Sequence, residues 1–233
     1  MSIQTSKLEA IDFEGYKAII FDFDGVISES VEIKTEAFRD MYTPYGKEVS
    51  DKVVDHHLKN GGMSRFEKIP FYHRCFLGKD LSKSQIVDLS NQFSNLVIKK
   101  VAECPLVKGS WSLLSLLYRE KLLFISTGTP EKEINQILKK RKLNKYFTEI
   151  LGSPSSKEDH IKTILRKYKL KKADILFIGD AETDMKAAET FHINFILRKH
   201  NLNFNLTRNF KGRVIDDLSL KAYIDPMIKG SNE

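Results

Sequence analysis

The sequence predicts an α/β protein, a parallel sheet flanked by helices with an all-helical segment inserted after the first strand. Three observations predict it. Short unbroken apolar runs such as Ala18–Phe21 and Ile175–Ile178 have polar ends, as strands buried on both faces of a parallel sheet do. From Val107 onward such runs alternate with helical periodicity, the pattern of right-handed βαβ crossovers. Between Phe21 and Val107 only helical periodicity is found.

The chain has 233 residues, 41% hydrophobic and 30% charged. That is enough for a full core and a small second module. No apolar run reaches the roughly 18 residues of a membrane span, so no membrane partner is expected. Met1–Gly15 lacks an apolar signal core and reads as a surface extension. Cys75 and Cys104 are too few for a disulfide framework or a cysteine zinc site, and they fit a cytoplasmic setting. A net charge of +7 brings nucleic acid or an anionic small molecule into consideration. The lysines are widely spread, however. The densest run, Lys139-Lys140-Arg141-Lys142, lies at a predicted helix end, where cations complement the dipole. No nucleic-acid partner is expected.

The elements follow in order. Ala18–Phe21 is the first strand. Ile33, Ala37, Phe38 and Met41 mark a helix ended by Thr43-Pro44-Tyr45-Gly46, and a shorter helix covers Asp51–Leu58. The next spans Ser64–Phe76, kinked or divided by Pro70. Ser82–Gln85 has the form of a capping box, and Ile86, Leu89, Phe93, Leu96 and Val101 carry that helix to Cys104-Pro105. Trp111, Leu114, Leu117 and Tyr118 form the next helical face, before a strand at Leu122–Ser126. Thr129 is the expected N-cap of the following helix, with Pro130 at its first position. A strand at Phe147–Leu151 and a capping box at Ser155–Glu158 come next. Ile175–Ile178, Asn194–Leu197 and Arg213–Ile215 are further strands, with a final helix near Leu218–Tyr223.

Ligands of open parallel sheets bind beyond the carboxyl ends of the strands. The polar residues that follow the apolar runs there are Asp22 and Asp24, Thr127 with Gly128, Lys157, and Asp180 with Asp184. Asp22 and Asp24 share one side of an extended chain, where two like charges are costly unless a cation or a shared proton stabilises them. Carboxylates, a hydroxyl and an amine on one rim suit a phosphoryl group with a hard cation. Lys157 stands in the first turn of a predicted helix, where the dipole disfavours a cation and a bound anion would offset it. Each has a plain structural reading: an acidic turn, a local cap, a solvent-facing lysine, an acidic helix start. Their recurrence at successive strand exits points to a site.

On these residues the sequence resembles the haloacid dehalogenase superfamily, in its phosphatase branch with an α-helical cap. Asp22-Phe23-Asp24-Gly25-Val26 matches the first motif and Ile125–Pro130 the second, with Thr127 at its hydroxyl position. Gly152–Lys157 matches the third and Gly179–Asp184 the fourth. The resemblance implies a Rossmann-like core from 16–27 and 105–233, a cap at 28–104 and an extension at 1–15. It implies that Asp22 is the nucleophile and Asp24 the general acid/base. It further implies that Mg²⁺ is held by the Asp22 carboxylate, the Asp24 main-chain carbonyl and Asp180. Asp184 would order a metal-bound water or Lys157, while Thr127, Gly128 and Lys157 bind the phosphoryl group. The partner is then a small-molecule phosphoester.

Dehalogenases and phosphonate hydrolases of this fold do without the second aspartate, so Asp24 argues against both. A phosphosugar mutase of the β-phosphoglucomutase type uses the same motifs and is the alternative. The cap segment Leu58–Arg65 is similar to the sugar-contacting loop of that branch, so Arg65, Lys59 and Ser64 are the expected substrate-recognition residues. An arginine there can fork onto a phosphate, a carboxylate or vicinal hydroxyls. Against the mutase, Lys34 stands where that branch commonly has histidine, and the loop carries an extra glycine. The expectation is a phosphatase acting on a sugar phosphate or a similar small phosphoester. A non-enzymatic basic binding module is the reading from a different class, and the intact acids oppose it.

Overall fold

The computed structural model describes residues 12–219. Strand β1 (Ala18–Phe21) leads into four consecutive helices, α1 (Val31–Tyr42), α2 (Lys47–Lys59), α3 (Arg65–Leu77) and α4 (Lys83–Glu103). Then come α5 (Ser110–Leu117), β2 (Leu122–Pro130), α6 (Glu131–Lys140), β3 (Glu149–Ser153) and α7 (Lys157–Lys167). The described chain ends with β4 (Ile175–Gly179), α8 (Glu182–Phe191), β5 (Asn194–Arg198), α9 (Phe204–Asn209) and β6 (Arg213–Ile215). The strands form one parallel sheet in the order β3-β2-β1-β4-β5-β6. The predicted fold class holds. Strand order reverses between β1 and β4, and in open α/β sheets that crevice is where ligands bind.

The unbroken apolar runs have a direct cause. Along β1, Ile19 and Phe21 enter one apolar cluster while Ala18 and Ile20 enter the other, the two-residue alternation of a strand covered on both faces. Helices α7 and α8 cover one face through Ile161, Ile164, Ala187 and Ala188. The other face continues into the helical insert α1–α4, where Phe38, Tyr42, Tyr72 and Phe93 pack ring against ring. Helix α4 also packs on α6, so the insert is docked on the sheet.

Several boundaries differ from expectation, each for a local reason. Helix α2 starts at Lys47 because Gly46 turns the chain at φ 99°. Pro70 lies inside α3 without dividing it. Strand β2 runs beyond Ser126 because, after an irregularity, Pro130 pairs again with Ser153 of β3. Pro130, rather than Thr129, is therefore the N-cap of α6. The capping box of α7 uses Ser156 and Asp159, one residue later than the Ser155–Glu158 reading. Trp111 does not face the core: it is 48% exposed, edge-on to Tyr146, while Leu113, Leu114 and Leu117 are buried. Most of the predicted N-terminal extension and of the helix near Leu218–Tyr223 lies outside the described residues.

Candidate active site

Strand β1 delivers Asp22 to the crevice with its main-chain N–H still bonded to Ile178 of β4. The Asp22 carboxylate accepts from the Phe23 N–H at 2.7 Å and lies 3.2 Å from the Lys157 ammonium. The chain then turns at Gly25, φ 80°, where a Cβ would stand 2.3 Å from Asp180 Oδ2. Only glycine meets both conditions. Arg198 holds this turn, donating to the Gly25 carbonyl at 3.1 Å and pairing with Glu29 at 2.6 Å. Asp24 accepts from Ser30 Oγ at 2.6 Å, from Thr129 Oγ1 at 3.0 Å and from the Lys34 ammonium. Lys34 belongs to α1 of the insert, and it also donates to Thr129 at 2.6 Å.

Lys157 opens α7, and its ammonium lies between Asp22 and Asp184. These two anions explain a cation in a first helical turn. Asp184 has no exposed surface and also accepts from the Ala181 N–H at 3.1 Å. The carboxylates of Asp22, Asp180 and Asp184 offer oxygens within 4.8 Å of one another, all buried. Asp180 additionally faces His200 Nε2 at 2.8 Å, and its main-chain carbonyl accepts from Asn203 at 2.8 Å. Thr127, also buried, accepts from the Thr129 N–H at 3.2 Å.

Electrostatics separates the two strand-tip acids. Burial raises the Asp22 carboxyl well above the usual range, and Asp184, Asp180 and Asp24 add to that effect against Lys157. Asp184 is raised to about 6, again chiefly by burial, with Asp180 adding and Lys157 opposing. For Asp24 burial also acts upward, but the charge of Lys34 and hydrogen bonds from Lys34, Ser30 and Thr129 outweigh it and hold the carboxyl low. Three buried carboxylates against one lysine form an oxygen donor set short of positive charge, which fits a hard divalent cation.

The loop between α2 and α3 seats directly on this centre. Thr183 Oγ1 donates to the Gly61 carbonyl at 2.9 Å. Gly62 has φ 75°, and a Cβ there would lie 2.1 Å from Thr183 Oγ1 and 2.9 Å from Lys157 Nζ. On the sheet side, a Cβ on Gly128 would stand 2.3 Å from the Gly62 carbonyl oxygen. Gly62→Ala is therefore expected to hold the loop off its seat and lower kcat/KM by about 10–100-fold. The check is p-nitrophenyl phosphate turnover, and undiminished turnover would mean that the seating is dispensable.

The residues expected to contact substrate from this loop have different fates. Lys59 pairs with Asp55 at 2.6 Å on the exposed side of α2 and is not at the cavity. Ser64 caps α3, accepting from the Phe66 N–H, and is not among the lining residues either. Arg65 does line the cavity, but its guanidinium is buried and bound to Glu133 at 2.7 Å and Ser94 at 2.8 Å, stacked over Phe93. The cavity, about 70 Å³, is lined by Asp22, Asp24, Thr127, Gly128 and Asp180 on the sheet side. Lys34, His57, Gly62, Arg65 and Lys68 line it on the insert side.

This geometry can be set beside known proteins. A model of the haloacid dehalogenase-like hydrolases matches residues 19–197, which includes all four motifs. The chain belongs to that family. Phosphoglycolate phosphatase of Pasteurella multocida is 24% identical over 202 residues, 82% of this chain and 89% of that protein. The phosphorylated carbohydrates phosphatase of Thermotoga maritima is 23% identical, over 80% of this chain and 87% of its own. The crystal structure of β-phosphoglucomutase from Clostridium difficile shares the fold with a TM-score of 0.71 and 18% identity, covering 92% of this chain and 96% of that one. As a haloacid dehalogenase-like hydrolase with such relatives, the chain is an enzyme, a phosphatase.

Within this family frame, sequence reasoning missed Lys34, Thr129, Arg198, His200 and Asn203 as members of the site. Thr129 and Lys34 were visible as residues, one read as a cap and the other only as a departure from histidine. Arg198 ends the fifth strand, His200 and Asn203 follow it, and none carries a motif signal. Position at the carboxyl end of a buried strand, the rule that finds Asp22 and Asp180, applies to Arg198 and His200 as well.

Proposed function

We propose that the chain hydrolyses a small phosphorylated metabolite through an aspartyl-phosphate on Asp22, with Mg²⁺ as cofactor. One observation carries this reading. Two acids with different surroundings, Asp22 with a lysine 3.2 Å away and Asp24 with its own hydrogen-bond network, line one cavity at the sheet's switch point. In the first step an Asp22 oxygen attacks phosphorus and the ester oxygen leaves, taking a proton from the Asp24–Lys34 pair. In the second, a water gives a proton back to that pair and attacks phosphorus, releasing phosphate and regenerating Asp22. Dividing the hydrolysis this way replaces one difficult displacement by two easier ones. Lys157 and Thr127 bind the phosphoryl oxygens and spread the charge that develops on them. The Asp22 carboxylate, the Asp24 main-chain carbonyl and Asp180 would hold the metal, with Asp184 orienting Lys157. When bound, Mg²⁺ supplies positive charge against the carboxylates and the phosphoryl group. The Gly61–Gly62 loop lies over this centre, held by Thr183.

The reading is tested with a phosphoester panel assayed for phosphate release in Mg²⁺, with and without a sugar bisphosphate. Phosphate release without the bisphosphate supports a phosphatase, whereas isomerisation dependent on it would make the chain a mutase. No reaction with any member would overturn the proposal. EDTA is expected to abolish turnover and added Mg²⁺ to restore it; turnover surviving chelation would remove the metal from the mechanism.

A further inference from the structure

The cations around the cavity can be matched with their counter-charges one by one. Lys34 has Asp24, Arg65 has Glu133, and Lys157 lies between Asp22 and Asp184. Lys68 of α3 is the exception. Its side chain is 2% exposed and lines the same cavity, yet no described carboxylate lies within ion-pair distance of its ammonium. Its partners are Nδ1 and the main-chain oxygen of His57, at 3.0 and 3.3 Å, with the Phe38 ring centroid 5.9 Å away.

A buried ammonium without an anion is costly, and an apolar side chain of similar volume would serve packing better. Burial, followed by the nearby charge of Lys34, brings Lys68 down to about 7 against weaker opposition from Glu67 and Asp24. His57 is itself held well below its usual value, first by burial and then by Lys68 and Lys34, so its ring is neutral and accepts from Lys68. An ammonium has three donors, and His57 takes two of them. One donor and one positive charge remain for whatever enters the cavity.

We propose that Lys68, backed by His57, binds a second anionic group of the substrate, at the end away from the phosphoryl group. The substrate is then a short phosphomonoester that also carries a carboxylate or a second phosphate. This deepens the phosphatase reading and rests on it. Lys157 and Thr127 hold the scissile group on the sheet side, and Lys68 meets the other end from the insert. Thr127 and Lys68 line the same cavity from its two walls, so one molecule can meet both. A doubly anionic substrate also gives the insert an electrostatic reason to close over it.

The test compares matched pairs of phosphoesters, of equal length, with and without the second anion: a phosphorylated hydroxy acid against an alkyl phosphate, and a sugar bisphosphate against a monophosphate. The ratio of kcat/KM within each pair is expected to favour the doubly anionic member in the unaltered enzyme. Lys68→Met should lower that ratio by about 30-fold or more, as truncating one partner of a buried charged contact does. A fall in the first pair alone identifies a carboxylate, and in the second alone a phosphate. A ratio near one in the unaltered enzyme, or unchanged in the variant, overturns the assignment. Calorimetric binding of the same pairs to Asp22→Asn protein separates this from the phosphatase reading. A binding preference lost in Asp22→Asn/Lys68→Met supports Lys68 even if no ester is hydrolysed. Hydrolysis without any such preference overturns Lys68 alone.

Discussion

Asp22→Asn is expected to reduce Mg²⁺-dependent phosphate release by about 10⁴-fold or more, the scale of loss when a nucleophile is removed. The substitution keeps the shape of the side chain and removes the attacking oxygen's charge. The fold should tolerate it well. Asp22 is buried among Asp180 and Asp184, and its carboxyl is raised by that burial and by those charges, so the native carboxylate is held at an energetic cost. Lys157 keeps Asp184 as its partner when Asp22 is neutral. The melting temperature of the variant should therefore be at least that of the parent, the usual exchange of stability for a charged active site. Phosphate release and thermal unfolding check the two halves separately. Retained turnover would remove Asp22 as nucleophile; lost turnover with a collapsed melting temperature would make its role structural.

The second large effect lies where the insert meets the sheet. Arg65 and Glu133 are 4% and 5% exposed and form an ion pair at 2.7 Å, joined by Ser94, which donates to Glu133 at 2.6 Å. Glu133→Ala leaves the guanidinium buried without its counter-ion. Breaking such a pair costs about 3–5 kcal/mol, because the remaining charge has lost both water and partner. At about 2–4 °C per kcal/mol for a chain of this size, the melting temperature should fall by about 6–20 °C. The double variant Arg65→Met, Glu133→Leu should recover most of the loss, since an apolar pair leaves no buried charge. A fall below about 2 °C in Glu133→Ala would mean that Arg65 rotates to another anion, such as a bound substrate, and would return it to substrate recognition. Calorimetric unfolding with and without inorganic phosphate distinguishes these outcomes.

The two ends of the problem differ in how far local sequence could carry them. Asp22, Asp24, Thr127, Lys157, Asp180 and Asp184 were legible because each lies toward or just beyond the carboxyl end of a strand or in the first turn of a helix, and the order of a parallel sheet gathers such positions at one edge. The helical insert was legible because strand patterning stops after Phe21 and resumes only beyond Val107. Element boundaries near Thr129 and Ser155 were not, since strand β2 extends through renewed pairing with β3, a partner that local periodicity does not show.

Sequence alone determined the fold class, the acids of the strand tips and the family they mark, because these depend on short-range patterns. Tertiary structure alone decided which charges meet. Lys34 reaches Asp24 and Thr129, Arg65 turns away to Glu133, His200 approaches Asp180, and Lys68 is left without an anion among the described residues. The physical reason is that a charge's role in a low-dielectric interior depends on its distance to every other charge. Closure of the insert over the sheet sets those distances between residues far apart in the chain.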